Sequence, residues 1–185
     1  MSKTLSSLQI APLFNWSEVR LHELALNDEI PLIASESFRV FSHENAFTYR
    51  DILAIEVVRQ MHDDGGIPMT TASKLVQNAG IDARADGADH WIAIVRYRNT
   101  WGGSTDRSSL PVTETGPGEY WSSAHFSGSF AEVSKLIADD IGNTAKNDPD
   151  SDPARIFMAN VSTADRRLRK RAAALGIQVA GNDFA

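Results

Sequence analysis

FTYRDILAIEVVRQMHDDGGIPMTTASKLVQNAG, residues Phe47 to Gly80, carries start and stop signals for two helices joined by a glycine-bearing turn. Thr48 followed three residues later by Asp51 is a capping pair, and Phe47 and Ile52 stand where a hydrophobic staple would pack. The aliphatic run then predicts a helix to about His62. Gly65, Gly66 and Pro68 break it, Thr70 or Thr71 can cap the next helix, and Gly80 offers a left-handed stop. The segment is expected to be a helix-turn-helix-like unit.

Upstream, Ser2, Ser6, Ser7 and Pro12 suggest a loosely ordered arm. Asn15 with Glu18, and Phe14 with Val19, repeat the cap and staple logic, predicting a short helix from Trp16 to about Leu26. Pro31 ends any continuation. Residues 32–41 read as helix or extended chain, and Phe38, Val40 and Ile33 allow a strand near Arg39, with a turn and a return strand over Ala46 to Thr48. A helix, a hairpin and two helices is the order of a winged helix-turn-helix.

On these residues the chain resembles MerR-type winged-helix proteins over residues 14–80. The features that carry the resemblance are the aromatic, cap and acid of Phe47, Thr48 and Asp51, the helix with Ile52, Leu53, Ile55, Val57, Val58 and Arg59, and the turn Gly66-Ile67-Pro68. The resemblance implies a transcriptional regulator that binds double-stranded DNA as a homodimer, two symmetric modules occupying paired half-sites. It also implies that the DNA-reading element lies upstream, between Trp16 and Asn45, with His43 in the wing. Arg39 and Arg50, flanking the wing and the helix start, become the expected phosphate contacts, joined by Arg59 and Lys74. The plainer meaning of these cations is surface charge paired with Glu44, Asp51 and Glu56.

Beyond Gly80, IDARADGAD is polar and glycine-bearing, which sets an expected domain boundary between residues 82 and 83. HWIAIVRYRN and EYWSSAHFSG read as strands separated by a long Gly-, Ser- and Thr-rich loop, the first apolar on both faces in its early part and suited to a sheet covered on one side by helices. Ser129 with Glu132 caps a helix from Phe130 to about Ala145, and NDPDSDP is an acidic turn. ARIFMANVS is a third strand, Ser162 with Asp165 a cap for a helix ending at Gly176, and IQVA a short final strand. The expected fold class is α+β: an N-terminal winged helix-turn-helix, residues 1–82, followed by a small α/β sandwich, residues 83–185, for dimerisation, sensing or partner binding.

The last helix bears Arg166, Arg167, Arg169, Lys170 and Arg171, a second basic surface that suits a nucleic acid or an acidic partner, or is simply a solvated face. Tyr97, Trp101 and Trp121 belong to an aromatic group on the two strands and their loop, able to line a cleft for a ligand or protein partner or to pack in a core. Net charge is −6, and it is uneven: residues 1–82 hold six basic against eleven acidic side chains, residues 83–185 twelve against thirteen. The half with the helix-turn-helix pattern is therefore the more acidic, which favours an alternative reading as a protein-interaction adaptor on a winged-helix scaffold. A small-molecule sensor is a third reading.

The absence of cysteine excludes disulfides, thiolate-ligated zinc and thiol catalysis. Asp148, Asp150 and Asp152 alternate as in calcium loops, but Pro153 stands where an EF-hand needs glycine and Ala159 where it needs an acid. The five histidines are scattered, with no HExxH, phosphate loop or nucleophile elbow. The expectation is a non-enzyme without cofactor or metal. With no membrane-length apolar run and no secretory pattern at Met1, a cytoplasmic location is expected.

Overall fold

The structure is a computed structural model that describes residues 4–31, 46–79, 81, 89–100, 119–148 and 150–179. It is mixed helix and sheet: β1 (Leu5–Ser6), α1 (Ser7–Ile10), a 3-10 turn (Ala11–Phe14), α2 (Glu18–Leu26), β2 (Ala46–Phe47), α3 (Tyr49–Asp63), α4 (Met69–Ala79), β3 (Trp91–Thr100), β4 (Glu119–Gly128), α5 (Phe130–Asn147), β5 (Ser151–Asn160) and α6 (Val161–Ala174).

The capping chemistry at α3 forms as its sequence dictates: the Asp51 carboxylate accepts from the Thr48 N–H at 2.8 Å and from its hydroxyl at 2.7 Å. Helix α3 is buried almost all round, Ile52 through Val58 without a break, because other elements pack on several of its sides. It is the central rod of the molecule. Its last turn is closed by His62, whose Nδ1 lies 2.7 Å from the Ile67 carbonyl oxygen, and by Gly66 in the left-handed region at φ 66°.

From Thr4 onward the expected loose arm is instead packed. Leu5, Ile10, Ala11, Leu13 and Phe14 are buried against α3 and its neighbours, and β1 pairs antiparallel with β2, Leu5 opposite Phe47. The expected hairpin partner of Ala46 to Thr48, near Arg39, lies outside the described residues.

The second sheet has the order β4-β3-β5 and is antiparallel throughout. Ala93, Val95 and Tyr97 face α5, while Ile92 and Ile94 face the other way and join the large core formed with α3, α4 and α6. The early part of β3 is thus covered by helices on both sides, not on one, which is why it is apolar on both faces. β5 begins at Ser151, inside the stretch expected to be an acidic turn, with a register irregularity beside Arg96 and Tyr97.

Helix α6 starts one residue before Ser162. Asn160 caps it, accepting from the Thr163 N–H at 2.8 Å, and the Ser162 hydroxyl instead accepts from the His90 N–H at 2.9 Å. Residues 177–179 form no strand. The apolar cluster that contains Leu53, Val57 and Met61 also contains Ile92, Ile94, Ala159 and Leu168, so buried side chains from both sides of residue 82 share one core.

Candidate nucleic-acid interface

The N-terminal residues build a compact unit in front of α3. Helix α1 and the 3-10 turn end at Asn15, whose φ of 58° and ψ of 37° reverse the chain, a conformation asparagine tolerates better than most residues. Ser17 then caps α2 by accepting from the Arg20 N–H at 3.1 Å. The cap is Ser17 rather than Asn15, because Asn15 is used for the reversal.

Helix α2 buries Leu21, His22, Leu24 and Ala25, and His22 Nε2 sits 3.3 Å from the Ser7 hydroxyl of α1. Its opposite side is open: Val19 is 62% exposed and Leu26 50%. Arg20 on that side is within 3.4 Å of Glu23, a contact between half-exposed groups that holds little energy, and 3.5 Å of the less exposed Glu29. The open side is therefore apolar and mixed in charge.

The basic residues singled out in the sequence divide into two groups. Arg171 reaches across from α6 to the buried Glu56 of α3, and Arg59 lies 3.8 Å from the same carboxylate. Both guanidinium groups lie over the Phe14 ring, at 5.8 and 5.9 Å from its centroid. Arg169 donates to Asp165 at 2.9 Å and lies over the Tyr49 ring at 5.0 Å. The hydrogen bond to Asp165 raises the Arg169 pKa further, so the group stays charged. Arg59, Arg169 and Arg171 are thus engaged in holding the N-terminal turn, α3 and α6 together.

Arg166, Arg167, Lys170 and Lys74 point outward, Arg166 bonded to Thr163 at 2.8 Å and Arg167 within 3.6 Å of Asp64. Arg50, one residue into α3, is half-buried, and its Nε is shielded from solvent with no hydrogen-bond partner among the described residues. A buried donor left unpaired is costly to the fold. Arg39, His43 and Trp101 lie outside the described residues.

Tyr97 and Trp121 do not share a surface. Tyr97 faces α5, where its hydroxyl donates to Asp140, and burial pushes its pKa up to about 12. Trp121 is opposite Arg98 on the other face of the sheet. On the α5 side, a groove of about 360 Å³ is lined mainly by polar groups, among them Asn99, Ser122, Asn143, Thr144 and the acidic Asp148. Asn99 bonds to Ser122 and Ser151 there and uses much of its own hydrogen-bonding capacity.

Two features were not read from the sequence. The chain reversal at Asn15 and the burial of the first turn depend on α3 and α6 being present, although the period of Leu5, Ile10, Leu13 and Phe14 could have flagged an apolar face. The engagement of Arg171 with Glu56 spans the chain and has no local pattern at all.

Among the described residues no cluster of acidic and histidine side chains could hold a metal ion, and no helix is long and apolar enough to cross a membrane. A scan of the sequence against models of known protein families finds no matching family, and a search of characterised proteins finds no match either.

Proposed function

We propose that this protein is a DNA-binding transcriptional regulator of the winged helix-turn-helix kind, acting as a homodimer, with α2 as the helix that meets the duplex and Arg50 as a phosphate contact. The observation that carries the reading is the helix, the left-handed turn at Asn15 and the second helix, with the outer side of α2 left open. β2 directly before α3 lies where the return strand of the expected wing would end, although its partner among the described residues is Leu5–Ser6. Arg50 at the start of α3, partly exposed, supplies a cation for a phosphate. Dimerisation would let two weakly basic modules combine their affinities on paired half-sites.

The test is fluorescence anisotropy on a pool of duplex fragments with Val19→Glu, which places a charge on the open side of α2 without touching the core. Loss of duplex binding is expected. Unchanged binding, or none in the unaltered protein, would refute the assignment.

One observation favours an adaptor as second reading. The open side of α2 shows Val19 and Leu26 beside Glu23, a surface better matched to a protein groove than to phosphates. In that case Val19→Glu would abolish capture of a protein partner that survives nuclease treatment, while no duplex binding would be seen.

A further inference from the structure

The face of the β4-β3-β5 sheet that looks away from α5 changes character along β3. Its Ile92 and Ile94 end is covered by the helices of the main core. Its other end carries arginine: Arg96 stands directly opposite Arg155 of β5, and Arg98 lies next on the same face. Like charges placed directly across a strand pair destabilise the pair unless something neutralises them. Among the described residues neither Arg96 nor Arg155 has an ion pair or hydrogen bond; of the two acids that the register places on this face, Glu119 stands at the far end opposite Thr100, and Asp152 is 4.0 Å from Arg98 with both side chains half or more exposed.

On its β4 side, Arg96 is positioned by Trp121: the guanidinium carbon lies 4.7 Å from the centroid of the indole. This contact fixes the cation without neutralising it. A guanidinium held over an indole offers a flat surface to a nucleobase, and two unpaired arginines side by side offer their donors to a phosphodiester.

We infer that this half of the sheet, Arg96, Arg98 and Arg155 with Trp121, is a binding surface for single-stranded nucleic acid. The charge complement of paired, unneutralised arginines is a polyanion. The geometry selects a single strand, because an open sheet face lies against splayed bases and a flexible backbone, whereas a duplex groove is entered by a projecting helix or ribbon. The surface is separate from α2 and does not depend on the role proposed for that helix.

The experiment is anisotropy of a short fluorescein-labelled single-stranded oligodeoxynucleotide of mixed sequence, titrated with the full chain across a salt series. Arg96→Gln with Arg155→Gln is expected to weaken binding by roughly tenfold or more and to reduce the log–log salt slope by about 1.4, the value for two phosphate contacts on a single strand. Arg155→Glu gives Arg96 a cross-strand partner; it should abolish binding while raising the melting temperature at low salt. Val19→Glu on α2 should leave single-strand binding intact. The inference is overturned if the unaltered protein does not bind the strand, or if Arg155→Glu folds and binds as before. It is equally overturned if Val19→Glu removes the binding, or if polyglutamate of equal charge competes as well as the unlabelled oligonucleotide.

Discussion

Arg171 on α6 and Glu56 on α3 form an ion pair, and Glu56 is almost completely buried. Arg59 lies close enough to share the carboxylate, and the Phe14 ring lies beneath both guanidinium groups. The cluster fastens the chain's first helical turns, its central helix and its last helix at one point. Removing Glu56 leaves two cations without their common partner, so Glu56→Ala should cost about 3 kcal/mol, whereas Arg171→Ala, with Arg59 still at hand, should cost about 1–2 kcal/mol. Urea unfolding of the two variants measures the difference. Equal costs would show that Arg59 does not take part.

A second fastening joins the start of α3 to α6, where the Tyr49 hydroxyl donates to Asp165 and Asp165 also accepts from Arg169. Burial and the bond to the carboxylate hold the Tyr49 phenol far above its ordinary pKa. Tyr49→Phe removes one hydrogen bond and should cost about 1 kcal/mol, while Asp165→Ala strands a buried hydroxyl and an arginine and should cost about 2–3 kcal/mol. The order of the two midpoints in urea checks this.

Tyr97 makes stability pH-dependent. Its phenol is raised from 10.0 to about 12, chiefly by burial and then by its bond to Asp140. The unfolded chain therefore ionises first: the contribution is fully present below pH 10.0 and is lost as pH rises towards about 12. Tyr97→Phe should flatten the fall of melting temperature over that interval, while Tyr49, shifted in the same direction, keeps part of it. An unchanged slope in the variant would contradict the assignment.

Because Leu168 of α6 shares a core with Leu53 of α3 and Ile94 of β3, its truncation should be felt on both sides of residue 82. Leu168→Ala is expected to cost about 2–5 kcal/mol. Amide exchange should then accelerate together in α3 and β3. Acceleration confined to residues beyond 82 would instead mean two independently unfolding units.

What could be read from the sequence was what is local. The Thr48 and Asp51 pair, the Ser129 and Glu132 pair and the breaks at Gly65 and Gly66 act within a few residues, and α3, α5 and the turn to α4 follow them. Caps failed where a competing contact took the residue: Asn15 is needed for a reversal, Ser162 for the His90 backbone, and Asp165 for Tyr49 and Arg169. The order strand, strand, helix, strand, helix after residue 90 was legible from alternation and period, but the shared core was not, since apolar periodicity says that a face is buried and not against what. In the candidate site, Arg50 and Arg59 look alike in the sequence. The distance to Glu56 separates Arg59, a fastening, from Arg50, for which no ion pair is seen among the described residues.

The most direct measurement of the central claim is the salt dependence of duplex DNA binding by the unaltered protein and by Arg50→Gln, in parallel titrations. Binding to a duplex through phosphates should weaken linearly on a log–log plot as salt rises, and Arg50→Gln should weaken it uniformly across sequences and reduce the slope by about 0.9. Binding that is insensitive to salt, or a slope that Arg50→Gln leaves unchanged, would contradict the account.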